Sequence, residues 1–267
     1  MSAPMANSEA TPTDPTAPNS WSATGAFLVL GAAGGIGAAV ARSLLTRGAR
    51  VVLAARNPER LQAIDFDARA RAASCDVTVP EQIDECLRVA GDLGGTVAGI
   101  ALCVGSILLK PAHLTSDTEW QDVLARNLTA AFHVARAAGK VMRQGGSVVF
   151  CSSAAASTGL ANHDAIAAAK AGVEGLVRSA AATYASRGLR FNAVAPGLVR
   201  TKMAEPITSN ERALEASRSM HALGRIGEPE DVASAIVWLL DPANSWTSGH
   251  VLRVDGGLAR LRPVARR

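Results

Sequence analysis

From Ala26 to Val254 the chain alternates short, almost uninterrupted apolar runs with longer amphipathic stretches. Few architectures accept that pattern. The apolar runs are Ala26–Leu30, Arg50–Ala55, Ala73–Val77, Ala98–Val104, Ser147–Cys151, Leu189–Val194 and His250–Val254. A strand that is apolar on both faces must be covered on both, as in a parallel sheet flanked by helices. The segments between them read as helices: Gly35–Arg47, Pro58–Ile64, Pro80–Ala90, Asp117–Met142, Asp164–Ser186 and Glu230–Leu240. Pro58, Pro80 and Pro229 sit where a helix start tolerates proline. The alternation predicts an α/β fold, a single doubly wound parallel sheet of seven strands joined by right-handed crossovers.

No repeat or Pro/Gly-rich linker divides the pattern, so residues 24–258 are expected to form one domain. Hydrophobic residues make up 48% of the 267 and charged residues 19%, enough to build a core. Residues 1–23, rich in Ser, Thr, Pro and Ala, are expected to be a disordered extension, and residues 259–267 a basic tail. The net charge of +4 owes much to Arg260, Arg262, Arg266 and Arg267 in that tail. With no basic stripe interleaved with aromatics, a nucleic-acid partner is not expected. The charge-free stretch between Asp14 and Arg42 is interrupted by Gly31, Gly34, Gly35 and Gly37. It does not make a span of about 20 apolar residues, nor has it a positively charged start, so neither a membrane segment nor a signal peptide is expected. Cys75, Cys86, Cys103 and Cys151 show no CxxC spacing, which argues against a disulfide framework or a zinc site and fits a reducing cytoplasm. His113, His133, His221 and His250 are scattered, with no HxxxH spacing or carboxylate cluster, so no metal is expected. Trp120, Trp238 and Trp246 read as core or interface residues.

The first apolar run leads straight into Gly31-Ala32-Ala33-Gly34-Gly35-Ile36-Gly37, and a helix follows at once. Backbone free of side chains lets a pyrophosphate approach closely, and a helix N-terminus offers unpaired N–H groups at the positive end of its dipole. The second run ends Ala54-Ala55-Arg56. A site that selects a free ribose 2′-hydroxyl places Asp or Glu at this point. An arginine suits a 2′-phosphate through charge-assisted hydrogen bonds, so NADP(H) is expected over NAD(H).

These residues resemble the short-chain dehydrogenase/reductase family, a Rossmann-type fold, and the likeness runs from about residue 24 to residue 258. GAAGGIG (31–37) is similar to the second half of the family's TGxxxGxG motif, with Leu30 where threonine is usual. The resemblance assigns Asp76-Val77 to the adenine. It aligns Leu102-Cys103-Val104-Gly105 with the family's NNAG turn, of which only Gly105 survives. Asn127 falls on the helix-kinking catalytic asparagine, Ser153 on the active-site serine and Lys170 on the lysine that holds the ribose. Asn192, Pro196, Gly197 and Thr201 match the segment that contacts the nicotinamide carboxamide, and 224–233 and 248–257 resemble the closing helix and strand. The resemblance also implies a homotetramer or homodimer built on the long helical segments.

The family's Tyr-x-x-x-Lys pair is broken. Counting back from Lys170 and forward from Ser153 both arrive at Ile166, and the one tyrosine of the chain, Tyr184, stands near the far end of the same helix. A positioned general acid is worth roughly 10²–10⁴ in rate. His163 is a substitute three residues before Ile166 and seven before Lys170, on the same helix face if the helix reaches that far back. Enoyl-thioester reductases related to the family carry tyrosine at that spacing. Asp164 reads as a carboxylate favoured by the helix dipole, and the third option is a proton brought by substrate or water. The expectation is an NADP(H)-dependent oxidoreductase with atypical proton delivery, acting on a small carbonyl, conjugated alkene or imine compound under a cap at 203–220. The alternatives are a nucleotide-binding, catalytically impaired sensor or partner subunit, motivated by Leu30, Leu102 and Ile166, and a non-redox use of the same pocket.

Overall fold

The computed structural model describes Trp21 and residues 25–64 and 67–262. Most of the expected extension and residues 263–267 of the tail lie outside the described residues. Trp21 is buried, with its ring 5.3 Å from Phe27 and the Arg47 guanidinium over its face.

Seven parallel strands run β1 Ala26–Leu30, β2 Arg50–Ala55, β3 Ala70–Ser74, β4 Val97–Leu102, β5 Gly146–Cys151, β6 Leu189–Pro196 and β7 Val251–Val254. Their order across the sheet is β3-β2-β1-β4-β5-β6-β7, the doubly wound arrangement expected. Among the described residues the α-helices are α1 Gly35–Thr46, α2 Pro80–Gly94, α3 Asp117–Leu124, α4 Ala130–Val141, α5 Asp164–Tyr184, α6 Glu205–Thr208, α7 Glu211–Met220 and α8 Pro229–Leu240. Helices α1 and α8 pack on one face, around Val29, Leu53, Val149 and Val194. Helices α2, α4 and α5 cover the other, around Leu28, Ile100, Phe150 and Phe191. The chain reverses its direction of travel between β1 and β4, and a crevice opens there at the carboxyl ends of the strands.

Four expectations shift. Strand β3 starts at Ala70 and ends at Ser74, so Asp76 and Val77 belong to the loop after it. It is an edge strand whose Arg71, Ala72 and Ser74 are exposed, so its apolar signal is weak. The expected helix 117–142 is split by a π turn, Ala125–Thr129. The cap contains two helices, α6 and α7. Trp120, Trp238 and Trp246 are 36%, 47% and 98% exposed and outside the core. Tyr184 packs against Phe191 at 5.6 Å, under the Arg187 guanidinium and against Gly139 of α4, far along α5 from Ser153. No helix among the described residues is long and apolar enough to cross a membrane.

Candidate active site

The glycine turn closes β1 onto α1. Gly31 adopts φ +88°, a left-handed backbone that favours glycine, and a Cβ on Gly37 would overlap the Gly31 carbonyl oxygen. Helix α1 follows Gly34 at its N-cap, with no side-chain cap and no acidic residue in its first turn, so its N–H groups and dipole are left uncompensated by the chain. Ile36 follows, half-buried. From across the crevice the Thr201 methyl stands 2.9 Å from where a Gly35 Cβ would be, which brings the loop after β6 to the turn after β1.

At the other end of the crevice, Asp76 accepts hydrogen bonds from the Thr78 amide (2.9 Å) and hydroxyl (2.7 Å). These bonds hold its carboxyl below the usual carboxylate range, helped by the charges of Arg56 and Arg126. Arg56 is therefore close enough to Asp76 to act on it, and it is exposed at the end of β2. Val77 is buried in the core.

Asn127 sits inside the π turn. A π turn leaves a carbonyl without its usual partner, and the Asn127 side-chain amide donates to one, Val123 O, at 2.9 Å. The same amide donates to Ser106 Oγ at 3.0 Å, while its oxygen accepts from Ser106 N at 3.3 Å. Asn127 thus pins the 105–106 turn to the helix. A Cβ on Gly105 would lie 2.8 Å from Asn127 Oδ1 and 3.4 Å from Lys170 Nζ, which accounts for glycine there.

Lys170 is 7% exposed and its ammonium donates to the Cys151 carbonyl at 2.7 Å, two residues before Ser153. Burial holds its pKa below the ordinary 10.5, opposed by the nearby Cys151 and Cys103. One of three ammonium donors is used in that bond, leaving two. Ser153 caps a short 3₁₀ turn, accepting from Ala155 N at 3.2 Å, and its own proton remains to donate. Ile166 is 4% exposed and packs with Val123 and Ala169, against half-buried Leu108, Leu124 and Leu128. An apolar cluster stands one helical turn before Lys170.

His163 is the residue preceding α5, so the helix does not extend back through it. Its Nδ1–H donates to Ala161 O at 2.7 Å, which assigns the tautomer and leaves Nε2 as the other ring nitrogen. Asp164 accepts from Ala112 N at 2.8 Å in the first turn of α5, and Lys110 N donates to Asn162 O at 2.7 Å. The 105–116 loop is thereby tied over the start of α5. Pro196 ends β6 and Gly197 follows it, with His221 Nε2 packed so closely that a Gly197 Cβ would overlap it.

His221 had no sequence signal. It is 2% exposed, donates through Nδ1 to Ser217 O of α7 at 2.6 Å and accepts from Leu198 N at 3.2 Å. It couples the cap to the Pro196-Gly197 loop, a pairing visible only in three dimensions.

Glycine turn, bare helix N-terminus and a Ser–Lys–Asn group all converge on the carboxyl edge of one doubly wound sheet, which defines a dinucleotide-binding α/β protein with a polar reaction site. Residues 31–259 match a family profile described as enoyl-(acyl carrier protein) reductase. A tropinone reductase homolog of Arabidopsis thaliana is 35% identical over 246 residues, covering 89% of this chain and 93% of the relative. The cis-4-hydroxycyclohexanecarboxylate dehydrogenase of Sinomonas cyclohexanicum is 38% identical over 237 residues, covering 86% and 94%. Among solved structures, a short-chain type dehydrogenase/reductase from Mycobacterium ulcerans superposes with TM-score 0.84 at 30% identity, covering 89% of this chain and 90% of that one. ElxO with NADP bound gives 0.82 at 27%, covering 88% and 98%, and a tyrosine-to-phenylalanine variant of ElxO with NADPH bound gives the same values. The chain belongs to the short-chain dehydrogenase/reductase family of NAD(P)-binding oxidoreductases.

Proposed function

We propose that the protein is an NADP(H)-dependent oxidoreductase acting on a small organic substrate (a carbonyl, a conjugated alkene or an imine) and taking its proton from a source other than the family's tyrosine. The observation that carries this reading is the pairing of Lys170, Ser153 and Asn127 in a formed site with a buried isoleucine, Ile166, where the hydroxyl would stand. The residues fit the cofactor: the cradle at Gly31, Gly35 and Gly37 is one that Cβ atoms would fill. Ile36 and the α1 N-terminus would hold the pyrophosphate, and Asp76 and Val77 the adenine. Arg56 would take a 2′-phosphate, and Gly105, Pro196, Gly197 and Thr201 would border the nicotinamide end. When bound, the reduced nicotinamide supplies a hydride.

Lys170 orients the ribose with its two remaining donors and adds positive charge beside the reacting centre. Ser153 donates its hydroxyl hydrogen bond to a substrate oxygen or nitrogen. Asn127 keeps Gly105 and Ser106 in place, because its amide donors are committed to Val123 and Ser106. In its doubly protonated form, with Nδ1–H held by Ala161 O, His163 is the candidate proton donor through Nε2, and substrate or water is its rival. The cap of α6 and α7 would exclude water, with Met203 and Met220 supplying apolar surface.

The second reading, a nucleotide-binding sensor or impaired partner subunit, is favoured by the same Ile166 cluster. A panel of ketones, enones and imines with NADPH, followed by absorbance loss, separates the two. Turnover of any class is expected under the first reading, and NADPH binding without turnover across the panel would establish the second. Where turnover appears, His163→Phe should alter the pH–rate profile, and an unchanged profile assigns the proton to substrate or water. The proposal includes a cytoplasmic homotetramer or homodimer assembled on α4 and α5, supported by Phe132 and Val141, each 48% exposed on α4.

A further inference from the structure

The four cysteines, unrelated in sequence spacing, fall into two juxtaposed pairs. Cys75 and Cys86 of α2 share one apolar cluster, and Cys103 and Cys151 pack against the other. The first pair is sealed, at 4% and 0% exposure. The second is half-buried and lies at the carboxyl ends of β4 and β5.

Its geometry follows from the sheet. Strands β4 and β5 are hydrogen-bonded neighbours with Leu102 opposite Phe150, which places Cys103 and Cys151 opposite each other one residue further on. Both side chains point to the same face, packing with Ala101 and Val149 on the α1/α8 side. Neighbouring strands lie about 4.8 Å apart, inside the roughly 4.4–6.8 Å Cα separation that a disulfide spans. Both residues stand at strand ends, where the backbone can adjust. The pair also touches each half of the site: Cys103 O lies 3.1 Å from where a Gly31 Cβ would be, and the Cys151 carbonyl receives the Lys170 ammonium.

We propose that Cys103 and Cys151 form a redox-reactive dithiol that a hydroperoxide converts reversibly to a disulfide across the carboxyl ends of β4 and β5. Cys151 is the attacking sulfur. The Lys170 ammonium, bonded to the Cys151 carbonyl at 2.7 Å, places a positive charge beside this residue and favours its thiolate. The Cys151 thiolate attacks a peroxide oxygen, the O–O bond breaks, and one oxygen leaves as alcohol or water after protonation. The resulting sulfenic acid is attacked by Cys103, an S–S bond forms, the S–O bond breaks, and the second oxygen leaves as water. Two thiols lose two hydrogens and one peroxide is reduced. An external dithiol reverses the step by exchange.

The dithiol chemistry goes beyond the cofactor reading and does not depend on it. The test is oxidation of the full chain with stoichiometric hydrogen peroxide, followed by non-reducing peptide mapping. A peptide pair linked through Cys103 and Cys151, restored by dithiothreitol while Cys75 and Cys86 stay reduced, is the expected result. Cys103→Ser should leave a Cys151 sulfenic acid that dimedone traps, and Cys151→Ser should leave Cys103 unmodified. Absence of the linked pair, or oxidation of Cys75–Cys86 at an equal rate, overturns the proposal. In a second arm, saturating NADPH should slow oxidation at least tenfold by covering these strand ends. If the disulfide forms at the same rate with NADPH present, the dithiol stands and the cofactor placement fails.

Discussion

Installing a tyrosine at Ile166 asks whether the rest of the site is competent. Ile166 lies one helical turn before Lys170, 4% exposed, among Val123, Ala169, Leu108, Leu124 and Leu128. A ring is larger than the isoleucine side chain, so Ile166→Tyr overpacks that cluster at a cost of about 1–3 kcal/mol. If its hydroxyl found no partner it would cost about 1–3 kcal/mol more. Against a typical domain stability of roughly 5–15 kcal/mol the overpacking cost alone leaves the variant folded, with Tm lowered by about 2–4 °C per kcal/mol for a chain of this size. A hydroxyl that instead reaches past the cluster toward the two unused donors of Lys170 supplies the missing acid. Such an acid is worth roughly 10²–10⁴ in rate, about 3–5 kcal/mol of barrier. The assay is NADPH-dependent reduction of a ketone panel, with thermal unfolding and NADPH affinity measured on the same preparation. A gain in kcat with near-constant NADPH affinity is expected. A folded variant that binds NADPH as the parent does and shows no gain on any ketone refutes the reasoning, because the hydroxyl would then not be the missing part.

Arg56→Ala should weaken NADPH binding by about 10- to 100-fold, the worth of charged hydrogen bonds of about 1.5–3 kcal/mol, and leave NADH unchanged. Equal loss for both cofactors in a calorimetric titration would remove the 2′-phosphate from the argument. Because burial lowers the Lys170 pKa, the unfolded chain binds more protons than the folded one between that lowered value and 10.5, so Lys170 makes stability rise with pH across this window. Urea unfolding of the parent minus that of Lys170→Met, measured up that pH range, should therefore climb; a flat difference would show the ammonium is not desolvated. His221→Phe leaves Ser217 O and Leu198 N unpaired and should cost about 1–3 kcal/mol for each. A loss below about 0.5 kcal/mol in denaturant titration would mean that water or a shifted cap replaces both bonds.

Most of the architecture was legible because its signals are local. Strands buried on both faces carry few polar residues, so β1, β2, β5 and β6 are visible as apolar runs, and the glycine turn after β1 is contiguous; the buried exceptions Ser147, Arg190 and Asn192 are each hydrogen-bonded to backbone. Asn127, Ser153 and Lys170 were legible through motif likeness. The edge strand β3 was misplaced because solvent on one side removes the need for apolar residues there. The π turn was invisible because one inserted residue hardly disturbs a 3.6-residue period, yet it creates the vacant Val123 carbonyl that Asn127 fills.

Sequence alone thus determined the sheet, its helices and the glycine turn at its carboxyl edge, since each is written in consecutive or regularly spaced residues. Tertiary structure decided what shares a boundary. It buried Ile166 in an apolar cluster, committed the Asn127 amide to Ser106, locked His221 between α7 and Leu198, and set Cys103 beside Cys151. Those four outcomes depend on which strands and helices become neighbours. That choice is made by packing the whole sheet at once, and no local pattern of residues encodes it.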